Sequence, residues 1–179
     1  MRLKAMTLMT IAAAAVALGP SLAAVGSSAA AVDTSCTPQS GVYYEYVTSN
    51  SVNYYVAAPN KNLPMSHPEL KTFAGNIPND TAQFVKCINS AGQIAFEHTD
   101  NGFTNALSND PSNGSTVDLD AVTSSGPNNS MWWVQSGSNP YTFKNNLTGL
   151  YLRVSNKGLC QYCPVVAGAH ATMWIQSHQ

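Results

Sequence analysis

The chain has 179 residues, of which only 9% are charged, and its formal net charge is −1. A length of this order supports one hydrophobic core rather than several. Eight scattered Lys and Arg provide no basic cluster of the kind needed to hold nucleic acid or an anionic membrane surface.

The chain begins with a positive start, Met1-Arg2-Leu3-Lys4, followed by an apolar run from Ala5 to Leu18, a break at Gly19-Pro20, and small residues up to Ala29-Ala30-Ala31. This is the layout of a secretory signal peptide, so residues 1–31 are read as a leader removed near Ala31. The apolar run is shorter than the roughly 20 residues a spanning helix requires, and the expectation is export without membrane insertion. Arg2 and Lys4 would leave with the leader, so the mature chain is weakly acidic. Residues 32–40 read as an N-terminal linker, and 41–179 as the folded domain.

Within that domain one pattern recurs three times, giving lobes at about 41–86, 87–135 and 136–179. Each opens on an aromatic-led strand: Tyr44-Glu45-Tyr46-Val47, Ile94-Ala95-Phe96-Glu97 and Tyr141-Thr142-Phe143-Lys144. Each closes on another: Gln83-Phe84-Val85-Lys86, Trp132-Trp133-Val134-Gln135 and Met173-Trp174-Ile175-Gln176. In the first lobe Pro59, Pro64, Pro68 and Pro78 punctuate a long excursion and argue against a regular central strand there. The second lobe carries the turn cluster Ser108-Asn109-Asp110-Pro111-Ser112-Asn113-Gly114, then an alternating strand from Thr116 to Val122. In the third, Leu150 to Val154 alternates before a turn at Ser155-Asn156-Lys157-Gly158. No segment of the domain holds helical spacing for three turns.

A period of roughly 40–50 residues implies units that each give a ring to a shared core. The openings nominate Tyr46, Phe96 and Phe143 for that core, and the closings nominate Phe84, Trp133 and Trp174. About four strands per lobe predicts an all-β fold, a β-trefoil with a closed six-stranded barrel and three hairpins, with an open β-sandwich as the alternative.

Four cysteines remain after export. In an oxidising compartment an even number reads as disulfides, and the favoured pairing is Cys36 with Cys87 and Cys160 with Cys163. Zinc ligation by Cys160 and Cys163 with His170 and His178 is disfavoured by the short spacing between the pairs, and a redox role by the strand that follows. No metal or cofactor is expected.

The third lobe carries a specific likeness. Phe143-Lys144-Asn145-Asn146-Leu147-Thr148-Gly149-Leu150-Tyr151-Leu152-Arg153-Val154, ending in Trp174-Ile175-Gln176, resembles one lobe of the ricin-B-like lectin superfamily, and its Gly-x-Tyr-Leu-x-Val step is similar to fascin-like repeats. The resemblance implies a carbohydrate-binding trefoil. The Gln of the family's Gln-x-Trp closing is missing from Ala82-Gln83-Phe84, Met131-Trp132-Trp133 and Thr172-Met173-Trp174. The position of its sugar-binding Asp aligns with Val56, Ala106 and Arg153. Any ligand site must therefore be built from other groups.

Several residues qualify. Trp132 neighbours an inward Trp133 and should face outward, as a stacking platform for a sugar or an anchor for a protein. Asp118 and Asp120 share one side of a strand, with Asn109 and Asp110 on a nearby turn, and paired acids accept sugar hydroxyls. Arg153 and Tyr162 flank the place where a third-lobe pocket would lie. No nucleophile elbow, metalloprotease helix or phosphate loop occurs, so a non-catalytic role is expected. The functional expectation is a secreted, lectin-like module binding an extracellular glycan. The alternative is an exported adaptor or toxin-accessory subunit that binds a secreted protein partner.

Overall fold

The computed structural model describes residues 35–58, 69–75, 83–100, 102–156 and 158–179. The segment read as a leader lies outside them, as do Pro59, Pro64, Pro68 and Pro78. Thirteen strands occur among the described residues. A two-residue strand β1 (Thr37–Pro38) precedes three groups of four. The first lobe holds β2 (Tyr43–Ser49), β3 (Val52–Ala57), β4 (Lys71–Ala74) and β5 (Val85–Ile88). The second holds β6 (Ile94–Asp100), β7 (Phe103–Ser108), β8 (Asp118–Ala121) and β9 (Trp133–Ser136). The third holds β10 (Thr142–Asn145), β11 (Tyr151–Val154), β12 (Val165–Gly168) and β13 (Ile175–His178).

First and fourth strands of each lobe make a ring. β5 pairs β6, β9 pairs β10 and β13 pairs β2, all antiparallel. Within the lobes the ring is completed by the bridges Tyr43 to Phe84, Ile94 to Trp133 and Tyr141 to Trp174. Six strands thus close on themselves, leaving no free edge in the barrel. The remaining strands form the three hairpins β3–β4, β7–β8 and β11–β12. This is a β-trefoil, and closure sets the sandwich alternative aside.

Register shows which residues are equivalent. Lys86 faces Phe96, Gln135 faces Phe143 and Gln176 faces Glu45. Two residues before each of the first three stand Phe84, Trp133 and Trp174, all buried in one cluster. Beside them Val56, Leu107 and Leu152 form a second threefold set, and Leu70, Val117 and Val165 a third, within the same cluster. Trp133 and Trp174 each donate their indole N–H at 3.0 Å to the carbonyls of Leu107 and Leu152. A large apolar side chain taken fully out of water contributes about 1.5–3 kcal/mol, so these rings dominate the stability of the domain.

The same register corrects two sequence expectations. The first-lobe counterpart of Phe96 and Phe143 is Glu45, not Tyr46. Tyr46 packs on the other face, its ring 5.0 Å from Tyr55. Residues opposed to Tyr46, Glu97 and Lys144 are Tyr55, Ala106 and Tyr151. The counterparts of Arg153 are therefore Ala57 and Ser108 rather than Val56 and Ala106. None of the three is an acid.

Glu45 is fully buried, and burial pushes its carboxyl up to about 8 against the ordinary 4.5. Its Oε1 accepts from the Gln176 amide, while Oε2 has no hydrogen-bond partner among the described residues. Lys86 donates at 3.1 Å to both Gln135 Oε1 and Gln176 Oε1, and its ammonium lies 4.9 Å from the centre of the Tyr43 ring. Burial lowers the Lys86 pKa, against the pull of Glu45. A polar cluster joining all three lobes thus takes the place of one core ring.

One further expectation changes, while the absence of a regular central strand from the proline-punctuated excursion stands among the described residues. The segment read as a linker supplies β1, which pairs with β5. The stretch beyond Pro68 supplies β4, at the edge of its sheet beside β3. Proline excludes itself from a ladder but does not exclude the residues between two prolines. The cysteines bond as Cys36–Cys87 and Cys160–Cys163.

Candidate functional site

The second lobe positions its acids through one buried amide. Asn109 is fully buried, and its Nδ2 donates to the carbonyls of Gly114 at 3.1 Å and Thr116 at 2.8 Å. Its Oδ1 accepts from Thr148 Oγ1 at 2.7 Å, which ties the loop to the third lobe. Asn109 is therefore a scaffold residue, which corrects its reading as a ligand contact. Pro111–Asn113 then makes one 3-10 turn, capped by Asp110, whose carboxylate accepts from the Ser112 N–H at 2.8 Å. Gly114 ends that turn at φ +63°, a conformation costly for a side chain bearing Cβ.

β8 alternates as its sequence requires, Leu119 inward and Asp118 and Asp120 on the opposite side. Asp118 is buried and accepts from Asn113 Nδ2 at 3.1 Å. The first lobe brings a further acid. Leu70 N–H bonds the Val117 carbonyl at 3.0 Å, and a bridge sets Glu69 beside Asp118. Asp110, Asp118, Asp120 and Glu69 line one depression of about 510 Å³, with Ser112, Asn113 and Thr116. Lys71 lies 3.7 Å from Glu69 at its margin. The structure thus brings together Asp118 and Asp120, and adds Glu69. No signal in the linear sequence placed Glu69 here, because the contact is made between two lobes.

The wall of this depression is rich in acceptors and spread wide. Among the described residues the one set of three side chains with ligand atoms within 4.8 Å of each other is Cys36, Cys87 and Glu97, and its two sulfurs are bonded to one another. No three of the four carboxylates therefore approach one another within that distance. They suit a ligand whose hydrogen-bond donors are distributed over a ring.

Trp132 is not a platform. It faces away from Trp133 as alternation demands, yet it is fully buried against Ala95 and the Cys36–Cys87 bridge. Its indole N–H has no partner among the described residues. Arg153 donates from Nε to the Val154 carbonyl at 3.0 Å and from Nη2 to Asn156 Oδ1, and it lines a depression of about 310 Å³ with Ser115 and Ser155. Tyr162 is not part of that depression. Half exposed, it stands edge-on to Phe73 at 5.9 Å, on the loop closed by Cys160–Cys163.

No protein-family model matches the chain, and no curated protein matches it. Solved structures do. A designed threefold-symmetric protein, ThreeFoil, is similar over 75% of this chain and 96% of its own, with TM-score 0.57 and 14% identity. A Caenorhabditis elegans protein of unknown function is similar over 83% of this chain and 98% of its own, with TM-score 0.51 and 13% identity. At such identities the likeness concerns the fold alone.

Proposed function

We infer that the protein is a secreted, non-catalytic recognition module that binds carbohydrate through the acidic depression of its second lobe. The observation that carries this reading is the set of four carboxylates, Glu69, Asp110, Asp118 and Asp120, dispersed around one cavity whose other polar groups are hydroxyls and amides. Carboxylates accept hydroxyl protons in charge-assisted hydrogen bonds, roughly twice as strong as neutral ones. A pyranose offers several such protons in different directions, and dispersed acceptors match it better than a convergent set. Both disulfides suit an oxidising, extracellular setting. Among the described residues no helix is long and apolar enough to cross a membrane.

A glycan array with the oxidised protein tests the reading. Reproducible binding is expected, weakened about tenfold or more by Asp120→Asn, in line with the loss of a charged hydrogen bond. An array without hits, beside stoichiometric capture of one secreted protein, would replace it with the adaptor reading. Tyr162 supports that second reading, since an exposed aromatic backed by a neighbouring ring is a common anchor in protein interfaces.

A further inference from the structure

A second depression of about 410 Å³ lies elsewhere on the second lobe. Glu97, Gly102, Phe103, Thr104, Val122, Thr123 and Ser124 line it, between the β6–β7 turn and the end of β8. Phe103 opens β7 directly after the turn and keeps 53% of its surface exposed. An isolated exposed aromatic is ordinary on a protein surface. This one forms the wall of a cavity that also contains a half-buried carboxylate.

Glu97 is the unusual group. Burial raises its carboxyl pKa above the ordinary value, and among the described residues no cation pairs with it. Among the described residues the polar side-chain atom against it is Cys36 Sγ at 3.9 Å, which is bonded to Cys87 and has no hydrogen to donate. A half-buried carboxylate with no protein donor among the described residues is free to accept from a ligand hydroxyl entering the cavity. Thr104, Thr123 and Ser124 add hydroxyls around the rim, while Val122 adds an apolar patch.

We propose that this depression is a second carbohydrate subsite, in which the apolar face of a neutral pyranose lies on the Phe103 ring and one of its hydroxyls donates to Glu97. The rim hydroxyls of Thr104, Thr123 and Ser124 bond the outward-facing groups. A stack and a charged hydrogen bond are different recognition devices from the dispersed acids of the first depression, so the two subsites select different sugar faces. The inference rests on the carbohydrate reading above, but it uses none of that pocket's residues.

The oxidised full chain, labelled with carbon-13 in its aromatic rings and nitrogen-15 in its amides, decides the matter by NMR. The probes are methyl β-D-glucopyranoside, methyl β-D-galactopyranoside and N,N′,N″-triacetylchitotriose at millimolar concentration. Saturable shifts of the Phe103 ring and of the Thr123 and Ser124 amides are expected with at least one probe. Phe103→Ala should weaken that probe about tenfold, Glu97→Gln several-fold, and Leu147→Ala, which removes an exposed apolar side chain of the third lobe, not at all. Silence of the Phe103 ring with every probe overturns the proposal, as does affinity that survives Phe103→Ala. Shifts confined to Asp110, Asp118 and Asp120 would overturn this subsite while leaving the acidic pocket standing, whereas silence at both places would overturn both.

Discussion

The first lobe and its two neighbours fill the same threefold position in opposite ways. The second and third place Phe96 and Phe143 on the barrel interior, their rings 5.0 Å apart and edge to face. The first places Glu45, which faces and bonds Gln176 and feels the charge of Lys86. Sequence symmetry is broken where the lobes meet most closely, and the break is tolerated because the next ring of positions, Lys86, Gln135 and Gln176, is polar in every lobe. A threefold fold therefore requires equivalent volumes and satisfied groups, not equivalent residues.

The largest expected effect comes from moving the polar choice into a neighbouring lobe. Phe143→Glu puts a second carboxyl near Glu45, with Gln135 as its facing residue, and should cost about 4 kcal/mol or more in urea unfolding. A loss below about 1 kcal/mol would mean that the lobes are interchangeable at this level.

The disulfides sharpen the same comparison. Cys36–Cys87 encloses the first lobe with a separation of 51 residues, while Cys160–Cys163 separates only 3. Replacing the first pair by Ser should cost about 4 kcal/mol and the second about 2 kcal/mol in the loop-entropy model. The first replacement should also expose Trp132, seen as a red-shifted tryptophan emission.

Glu45 sets the pH dependence. Its carboxyl is held protonated to about pH 8 in the folded chain, against 4.5 for the ordinary group. Folding is therefore most favoured below about pH 4.5 as far as this residue is concerned, and its contribution fades as pH rises towards 8. The lowered pKa of Lys86 acts in the opposite sense at more alkaline pH, just below its ordinary 10.5. Glu45→Gln should flatten the decline between pH 5 and pH 8, and an unchanged profile in that variant would assign the decline to other groups.

The smallest effect lies in the first-lobe hairpin, which turns through Asn50 and Ser51, at φ +50° and +62°, where the third lobe uses Gly149. Ser51→Gly should stabilise the chain by about 0.5–1 kcal/mol.

Much of the architecture was legible in the chain. The closing rings Phe84, Trp133 and Trp174 carried the period, since large aromatics in register have few other uses. The opening of the first lobe hides its register, because aromatic residues flank Glu45 and the match by residue type selects Tyr46. The polar triplet Lys86, Gln135 and Gln176, two residues after each closing ring, would have fixed that register. Trp132 turns away from the barrel as alternation requires, but alternation gives direction and not burial. Its cover is Ala95 with the Cys36–Cys87 bridge, contributed from far along the chain. Asp118 and Asp120 could be paired from strand periodicity alone. Glu69 could not, because the bridge that places it beside Asp118 joins two lobes.

The proposed ligand site lies among the acids of the second lobe and Glu69 of the first. A crystal structure of the oxidised protein with the strongest glycan from the array tests it most directly. Sugar density is predicted in the depression bounded by Glu69, Asp110, Asp118 and Asp120, with ring hydroxyls at hydrogen-bond distance from at least two carboxylates. Density seated instead against Tyr162 or Arg153, with the acidic depression holding only water, would contradict it.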